Sequence, residues 1–359
     1  MPSPFSRRAV LASAGAFAAT PVLAVSPVPY TPAGAAWEAA DPAAAGLDAA
    51  KLNAAVDAAM AARSRGVLVL RGGRIVLERY AAGWGEDRSL EVASVGKSLV
   101  AVLIAMAIDD GRIRSLDQPA ADFIPSWRGG PKANITLRHL MSMTSGLDDT
   151  GLALRNVAGD QYALNAAAPE KDLPGTTWRY NTAVYHLCFH VLASAVGEPF
   201  EAYAQKKLLG PLGMTRTTWL TNQGQGTNGP VTNYYTAVCS ARDLGRFGLF
   251  AQRHGQWAGR QLVSRQAFDT LIAPSQALNP AYGLLWWENA KPGVDAAGRG
   301  AGLRFPGSPS DTFAALGAGG QAVMVVPSRD LVIIRQGDPP GAEAMLPNLL
   351  AGVVGAVKA

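Results

Sequence analysis

The feature that most constrains this chain is a serine with a lysine three residues later, placed directly before a long apolar run. The tetrapeptide SVGK occupies residues 94–97, the run covers residues 99–108, and a glycine at 111 marks its end. This length and this stop predict a buried helix, with Ser94 at its N-terminus and Lys97 on the same face. The helix dipole and the free N–H groups at that end can stabilise an oxyanion. The pattern therefore predicts a nucleophile unit, and the competing interpretation is a helix-capping serine followed by a surface lysine.

The composition is that of a globular protein with a large core. The chain has 359 residues, of which 48% are hydrophobic and 16% charged, enough for one or two domains. The net charge of +5 is small, and no basic cluster is interleaved with aromatic residues, which argues against a nucleic-acid partner. The histidines are scattered and no metal-binding spacing occurs, so we expect no metal and no cofactor. Cys188 and Cys239 could pair in an oxidising compartment or remain buried free thiols.

The first residues have the pattern of an export signal. Paired arginines follow Ser6, an alanine-rich apolar run covers residues 12–19, and small residues precede a cleavage point after position 24. This order resembles a twin-arginine signal over residues 1–24, and residues 25–36, rich in proline and alanine, are expected to form a flexible leader. A membrane anchor is the competing interpretation, but the run is short for a span of about 20 residues and Pro21 interrupts it. We therefore expect a periplasmic or secreted protein without a stable membrane anchor.

The remaining residues, 37–359, are predicted to form one domain. An alanine-rich helix is expected over 47–63, followed by a β-hairpin with strands at 67–70 and 74–80. In the mainly helical region that follows, helices are predicted near 137–144, 183–196, 200–208 and 241–253. Strands are then predicted at 281–288, 312–316, 321–326 and 331–336, before a closing helix over 342–357.

This order of elements predicts an α+β fold. Both ends of the chain contribute strands to one antiparallel β-sheet, which helices flank, and a mainly helical region of about residues 112–250 is inserted between the two halves. The helix that begins at Ser94 would lie at the junction of sheet and insertion, where clefts tend to form.

A second motif, PGTTWRYNT at residues 174–182, stands before the apolar helix predicted for 183–196. With Ser94 and Lys97 it carries a family resemblance: the chain is similar to the serine β-lactamase and penicillin-binding-protein superfamily. Within it, the chain resembles the class C-like branch that also contains esterases and 6-aminohexanoate-oligomer hydrolases, in which Y-x-N commonly follows P-G-T. Tyr180 matches the tyrosine. Thr182 stands where asparagine is usual, and this Y-N-T variant resembles what some nylon-oligomer-hydrolase-like members carry.

The third motif of the family is a K/H-T/S-G turn that faces the nucleophile, and its place here is LGAGGQ at residues 316–321. The cationic side chain is absent, although the glycines still allow a backbone N–H to approach a substrate closely. The resemblance implies that the N–H groups of Ser94 and Ala318 form an oxyanion hole, with Gly319 or Gly320 as alternatives to Ala318. The family resemblance covers about residues 42–336. Further matching segments are residues 117–127, 135–147, 242–248 and 319–321.

The resemblance also implies an acyl-enzyme mechanism. A serine hydroxyl needs a base, and a tyrosine or lysine can serve only when its pKa is lowered, as when an ammonium group stabilises a phenolate. We interpret Ser94 as the nucleophile and Lys97 as the cation that keeps Ser94 and Tyr180 activated. Tyr180 is then the general base that returns its proton to the leaving group. Thr182 could donate a hydrogen bond toward Lys97 or the substrate, or could cap its helix.

Three tryptophans are candidates to line an apolar cleft: Trp178, Trp286 and Trp287. Because neighbours along a strand face opposite sides, at most one of Trp286 and Trp287 is expected there, and core packing is the alternative for both. Asp148 and Asp149 could meet a cationic end of the substrate or belong to a solvated loop. The histidines at 139 and 186 are expected to be structural.

These patterns favour an exported serine hydrolase that cleaves a small-molecule ester or amide through an acyl-enzyme on Ser94. Because Thr182 cannot make both hydrogen bonds of an asparagine amide, we expect weak handling of penicillin-type acylamide side chains. An esterase or a 6-aminohexanoate-oligomer-like amidase is therefore the preferred interpretation. The alternatives are a β-lactamase or D-alanyl-D-alanine peptidase, and a catalytically idle binding module with the same fold.

Overall fold

A computed structural model describes residues 1, 30–34, 36–152, 157–221, 224–226, 229–300, 302–338 and 345–358. The predicted export signal, apart from Met1, and the first five residues of the predicted leader lie outside the described residues. Among the residues described, no helix is long and apolar enough to cross a membrane.

Helices form where apolar residues recur at helical spacing and a polar side chain caps the first turn. Asp48 and Ser240 cap their helices in this way, each accepting N–H bonds from the first turn. The helices are α1 (Ala49–Ala61), α2 (Val95–Asp109), α3 (Leu137–Met141), α4 (Gln161–Ala166), α5 (Thr182–Val196), α6 (Phe200–Ala204), α7 (Gly210–Leu212), α8 (Ala241–Gln252), α9 (Arg265–Leu271) and α10 (Leu346–Gly355).

Strands come from both ends of the chain and from its middle. They are β1 (Ser64–Arg71), β2 (Arg74–Tyr80), β3 (Ser89–Glu91), β4 (Gly159–Asp160), β5 (Thr218–Thr221), β6 (Gly224–Gly226), β7 (Gly229–Thr232), β8 (Tyr235–Ser240), β9 (Gln256–Trp257), β10 (Arg260–Gln261), β11 (Trp287–Glu288), β12 (Phe313–Gly317), β13 (Gln321–Val326) and β14 (Leu331–Gly337).

The central sheet has six strands in the order β11-β12-β13-β14-β1-β2, and every pairing in it is antiparallel. The β1–β2 hairpin turns at Gly72 and Gly73, whose φ angles of 59° and 77° suit glycine. β1 pairs with β14, for example Leu68 with Ile334, so the N-terminal hairpin completes a sheet that the C-terminal strands begin. This confirms the predicted α+β fold with one antiparallel sheet built from both chain ends.

The helix that carries the SVGK motif lies at the centre of the molecule. In α2 all residues from Val95 to Ala107 are buried, and the helix packs against α5, α9 and β12. Each large aliphatic side chain buried in this way contributes about 1.5–3 kcal/mol to the hydrophobic stabilisation of the fold. The position of residue 94 is thus fixed by the core on one side and by the end of the sheet on the other.

The inserted region contains more strand structure than predicted. Besides its helices it forms two small three-stranded sheets, with strand orders β3-β8-β5 and β4-β7-β6. In the first of these sheets, β3 comes from outside the inserted region. The predicted helix over 200–208 is divided into α6, a π-helical turn at Gln205–Leu209, and α7. The last helix of the region, α8, packs on β1, β13 and β14 and so belongs to the layer that covers the central sheet.

The strand predicted over 281–288 is wrong for most of its length. Only Trp287–Glu288 pairs with β12. Before it the chain forms a turn, in which the Gly283 N–H donates to the Trp286 carbonyl at 2.9 Å and Leu285 has a positive φ of 62°. The apolar run reflects burial of the turn in the core, because Leu284, Leu285 and Trp286 are all buried. The closing helix predicted over 342–357 is described as α10 over Leu346–Gly355; residues 342–344 lie outside the described part of the chain.

Cys188 and Cys239 are both buried free thiols, so the open question of a disulfide is answered in favour of separate side chains. Burial raises the pKa of each thiol to about 12. Both residues therefore behave as small apolar groups in the core.

Candidate active site

Ser94 lies at the first turn of α2 but does not cap the helix. The preceding residue, Ala93, has a positive φ of 46°, which is uncommon for a residue with a side chain and marks a sharp turn into the helix. The Ser94 hydroxyl makes no capping bond. Instead, the Lys97 Nζ donates a hydrogen bond to Ser94 Oγ at 2.8 Å. The structure thus brings the two residues of the first motif together, and the capping interpretation of Ser94 does not apply.

Lys97 is a buried amine rather than a surface lysine. Its side chain is only 2% exposed, and this loss of solvation lowers the pKa of Lys97 to about 7, although the carboxylate of Asp149 acts in the opposite direction. Near neutral pH a substantial share of the Lys97 amine is therefore unprotonated. An unprotonated amine beside a serine hydroxyl can accept its proton.

Two tyrosines enclose the Lys97 amine. The Nζ atom lies 4.9 Å from the ring centroid of Tyr180 and 4.3 Å from that of Tyr185, so aromatic faces stabilise the ammonium form in part. Tyr185 is fully buried, and burial raises its pKa well above the usual value. Sequence analysis did not single out Tyr185, and the only signal was its position three residues after Thr182, on the same face of α5.

Tyr180 stands in a cluster of aromatic rings. Its ring is stacked on Trp287, with centroids 6.0 Å apart and planes at 17°, and meets the edge of Tyr282 at 6.1 Å. Trp178 also lies beside Trp287, at 6.3 Å. Trp286 faces the other way and stacks on Phe247 in the core. The two neighbouring tryptophans thus lie on opposite sides, as predicted, although Trp286 belongs to the turn before β11 and not to a strand.

The turn before α5 holds Asn181, Thr182 and Asp149 together. Asn181 is the helix cap, accepting the Val184 N–H at 3.0 Å and donating from Nδ2 to the Leu147 carbonyl at 2.9 Å. Thr182 is the first helical residue, so its suggested capping role is wrong. Its N–H donates to Asp149 Oδ2 at 3.0 Å.

The two aspartates of this loop have different surroundings. Asp149 is half-buried, and burial raises its pKa even though backbone N–H groups at the start of α5 bind the carboxylate. Asp148 accepts from Thr150 at 2.7 Å and from Lys171 at 3.3 Å, as expected for a solvated loop. Asp149 is thus the nearby carboxylate that acts on Lys97.

The third motif ends β12 directly against the nucleophile. Gly317 lies so close to the turn before α2 that a Cβ atom there would be 2.3 Å from the Val92 carbonyl oxygen and 3.1 Å from the Ser94 nitrogen. Ala318 follows, is exposed and borders the same cleft as Ser94. Gly319 is buried and its carbonyl accepts a bond from the buried guanidinium of Arg335, which holds the turn in place. No motif in the sequence indicates this role for Arg335.

A cleft of about 140 Å³ opens at these residues. Its lining consists of Ser94, Tyr180, Trp287, Ala296, Arg304, Leu316, Gly317, Ala318 and Leu346. A larger groove of about 510 Å³ lies between α1 and α10, but its lining is mostly alanine, leucine and glycine and includes neither Ser94 nor Lys97. We therefore place the site at the smaller cleft, where a serine hydroxyl and a perturbed lysine coincide.

The two histidines named from the sequence have structural roles. His139 takes part in a capping box at α3, in which its Nδ1 accepts the Thr136 N–H at 3.2 Å. His186 is buried in α5, and burial lowers its pKa to about 3, so it is neutral. In the described part of the chain, no three His, Cys, Asp or Glu side chains are grouped so that they could hold a metal ion.

Comparison with known proteins finds relatives with two named activities. The chain is 31% identical over 211 residues to the esterase EstB of Burkholderia gladioli, covering 48% of this chain and 53% of that protein. It is 27% identical over 229 residues to the 6-aminohexanoate-dimer hydrolase of Paenarthrobacter ureafaciens, covering 57% and 56%. The matches thus span about half the length of these two relatives.

The fold matches at greater length. A class C beta-lactamase structure from Rhodobacter sphaeroides superposes with a TM-score of 0.63 at 19% identity, covering 85% of this chain and 98% of that one. The sequence model of the family described as Beta-lactamase matches residues 52–345, a range that includes Ser94, Lys97, Tyr180 and Ala318. The chain belongs to the beta-lactamase family of serine hydrolases.

Proposed function

We propose that this protein is an exported hydrolase that cleaves a small carboxylic ester or amide through an acyl-enzyme formed on Ser94. The observation that carries the proposal is the hydrogen bond of 2.8 Å between Lys97 Nζ and Ser94 Oγ, made by an amine whose pKa burial lowers to about 7. An esterase and an amide hydrolase among the relatives support the substrate class.

Acylation begins when Ser94 Oγ attacks the substrate carbonyl carbon. The hydroxyl proton passes to the unprotonated Lys97 amine as the C–O bond forms. Tyr180, whose ring borders both Lys97 and the cleft, delivers a proton to the leaving alcohol or amine as its bond to carbon breaks. The sequence pattern favoured Tyr180 as the base for the first step, whereas the direct contact of Lys97 with Oγ favours Lys97.

The negative charge that develops on the carbonyl oxygen needs donors at a fixed place. We assign this role to the N–H groups of Ser94, at the start of α2, and of Ala318, at the end of β12. Gly317 supports the assignment because its close contact with the Ser94 turn brings the two backbone segments side by side. The helix dipole of α2 favours negative charge at the same point.

Deacylation repeats these steps with water in place of the alcohol or amine. Before water attacks, the Lys97 ammonium returns its proton to the Tyr180 phenolate, which restores both groups. Lys97 then takes a proton from the water, the hydroxyl group attacks the acyl carbon, and Ser94 Oγ leaves with that proton. The products are a carboxylic acid and the regenerated enzyme, so this chemistry uses neither a metal ion nor an organic cofactor.

The first test is labelling of the full-length chain with a fluorophosphonate, followed by intact mass. We expect one adduct on Ser94, and turnover of a short-chain p-nitrophenyl ester. Ser94→Ala should abolish both. Ser98→Ala is the matched control, because Ser98 lies one turn further along α2 with its hydroxyl bonded to the Leu285 carbonyl at 2.7 Å.

A penicillin tested in parallel should react poorly. Rapid acylation by penicillin would favour a β-lactamase or peptidase instead, and absence of label and turnover would favour an idle binding module.

Export is a separate part of the proposal. The paired arginines of residues 1–24 support it. Fusion of this segment to a reporter should carry the reporter across the membrane, and replacement of Arg7 and Arg8 by lysines should reduce the exported fraction. A reporter that stays inside the cell with the native segment would refute a periplasmic or secreted location.

A further inference from the structure

A buried arginine contacts the turn that follows β12. The turn residues 317–320 carry no charged side chain of their own, yet the fully buried Arg335 of β14 donates from its guanidinium to the Gly319 carbonyl. Gly319 directly follows Ala318, whose N–H we assign to the oxyanion hole. Ala318 lines the catalytic cleft, whereas Arg335 does not. The arginine therefore contacts the turn from outside the cleft, and any effect on the reaction passes through the backbone of the turn.

The same guanidinium binds a second backbone segment. Arg335 Nε donates to Ser64 Oγ at 2.9 Å, and a terminal nitrogen donates to the Ala62 carbonyl at 3.2 Å. Ser64 Oγ in turn donates to the Ala59 carbonyl, in the last turn of α1, at 2.6 Å. This segment is the connection from α1 to β1, and α1 packs on both α10 and β1. Arg335 thus joins the turn beside the nucleophile to a part of the chain that core packing holds in place.

The charge of Arg335 is not neutralised by a bonded carboxylate. Its three acceptors are neutral, since two are carbonyl oxygens and one is a hydroxyl. Asp338 favours the charged form, but its carboxylate forms an ion pair with Arg65. Burial lowers the pKa of Arg335 to about 10, so the guanidinium is charged at neutral pH. An apolar side chain would fill this space at a lower cost in desolvation, so packing alone does not account for an arginine here.

The end of β14 is shaped to hold this guanidinium. A Cβ atom on Gly337 would lie 2.1 Å, 2.2 Å and 2.6 Å from three atoms of the Arg335 guanidinium, so the group lies directly against the Gly337 backbone. Gln321, the residue after the turn, also binds Gly337: its Nε2 donates to the Gly337 carbonyl, and its Oε1 accepts the Gly337 N–H at 3.2 Å. The turn is therefore attached to β14 at two points, one within it and one directly after it.

We propose that Arg335 is a positioning residue of the oxyanion hole, which fixes the Gly319 carbonyl and thereby the direction of the Ala318 N–H. This inference rests on the proposed function and adds a residue to its mechanism. Gly319 and Gly320 have positive φ angles of 78° and 72°, so the turn contains two residues with wide conformational freedom. A bond to one carbonyl restricts the planar peptide groups on either side of it. Donors that are fixed before the reaction stabilise an oxyanion without reorganisation.

The test is the kinetics of Arg335→Met and Arg335→Lys on a p-nitrophenyl ester, per active site counted by the end point of fluorophosphonate labelling. Arg335→Met should lower kcat by about 10- to 100-fold, as expected for a misplaced catalytic group. KM should change little, because the oxyanion exists only in the transition state. Arg335→Lys keeps the charge and one point of attachment, but lacks the planar set of donors. It should recover part of the lost kcat.

Two further variants separate positioning from general stability. Arg246→Met removes another buried arginine, one that donates to the Gly34 carbonyl at 2.6 Å from α8. It should lower the free energy of unfolding and leave kcat per active site unchanged. Gly337→Ala keeps Arg335 but displaces its guanidinium, so it should reproduce the fall in kcat even if Arg335→Met does not fold. Wild-type kcat in Gly337→Ala and Arg335→Lys, or an equal loss in Arg246→Met, would overturn the proposal.

Hydrogen exchange tests the inference without turnover. Mass spectrometry of peptides that contain residues 317–321 should show exchange at Gly319 and Gly320 about tenfold faster, or more, in Arg335→Met or Gly337→Ala than in the wild type. Arg246→Met should not change it. Unchanged exchange in both variants would overturn the positioning role even if the enzyme hydrolyses esters. Faster exchange in a protein that neither labels nor turns over would support the fixed turn and refute the hydrolase mechanism.

Discussion

Lys97 Nζ donates to Ser94 Oγ at 2.8 Å from a position that is almost closed to solvent. A lysine in this place is costly for the fold, because burial disfavours its charge. The same burial lowers the pKa of Lys97 to about 7, as the proposed role of the amine as a base requires. A cost in stability and a gain in chemistry thus arise from one side chain.

Lys97→Arg distinguishes a base from a fixed cation. Arginine keeps the positive charge but does not release its proton near neutral pH, so we expect kcat for ester hydrolysis to fall by about 10²- to 10⁴-fold. Fluorophosphonate labelling rates should fall in parallel, while circular dichroism should show an intact fold. If Lys97→Arg retained most of its activity, Lys97 would serve only as a cation, and Tyr180 would be the base that the sequence pattern favoured.

The stability of the protein should rise with pH because of Lys97. Its pKa in the folded state, about 7, lies below the ordinary lysine value of 10.5, so between these values the unfolded chain binds more protons than the folded one. The free energy of unfolding therefore increases with pH in this window, by up to about 3 kcal/mol between pH 7 and pH 9. Urea unfolding of the wild type and of Lys97→Met at pH 7 and at pH 9 measures this increase in the free energy of unfolding. The variant should lack this increment, and equal slopes for the two proteins would contradict the assigned pKa.

Asp149→Asn should shift the acid limb of the activity profile. The Asp149 carboxylate favours the charged form of Lys97, so its removal should lower the pKa of Lys97 and extend activity by about one pH unit toward acid. An asparagine oxygen can still accept the Thr182 N–H, which preserves the turn. The pH dependence of kcat/KM is the measurement. Asp148→Asn is the control, since Asp148 is only partly exposed but is bonded to Thr150 and Lys171 rather than to the start of α5; a shift of the same size there would refute the assignment to Asp149.

The sequence predicted the parts of the site that depend on local spacing. The spacing of three positions from Ser94 to Lys97 places both on one face of a helix, and Trp286 and Trp287 lie on opposite sides as expected. The central sheet was predicted because its strands are short apolar runs separated by turn residues. The same reasoning was wrong at residues 281–286, where the apolar run forms a buried turn. A buried turn and a buried strand can have the same apolar composition, so composition alone does not distinguish them.

The parts that sequence could not predict depend on contacts between distant segments. Tyr185 meets Lys97 because α2 and α5 pack together, and Asp149 reaches it from a loop before α4. Arg304 enters the cleft from a glycine-rich loop without a periodic pattern, and Arg335 supports Gly319 from a neighbouring strand. Such contacts between distant residues form through tertiary packing, and no local sequence pattern indicates them.

Tyr180→Phe should affect substrates according to their leaving groups. Phenylalanine keeps the ring that contacts Trp287 and Lys97 but removes the hydroxyl that we assign to protonation of the leaving group. We expect hydrolysis of an alkyl ester or anilide to fall by about 10²- to 10⁴-fold, and hydrolysis of a p-nitrophenyl ester, whose phenolate leaves without a proton, to fall far less. Steady-state kcat/KM for the three substrates tests this. An equal loss of kcat/KM for all three substrates would show that Tyr180 acts before the leaving group departs, as expected for a general base.

Gly317→Ala should damage the site through backbone position alone. The added Cβ would lie 2.3 Å from the Val92 carbonyl oxygen, a backbone atom that cannot move aside as a side chain can. The end of β12 must then shift away from Ser94, which separates the N–H groups proposed to bind the oxyanion. We expect a loss of about 1–3 kcal/mol in the free energy of unfolding and a fall of about 10²- to 10³-fold in kcat, the cost of one lost oxyanion donor. Gly85→Ala, at a glycine with no neighbouring atom within 4 Å of an added Cβ, is the control. Wild-type kcat in Gly317→Ala would show that the oxyanion hole does not depend on this contact.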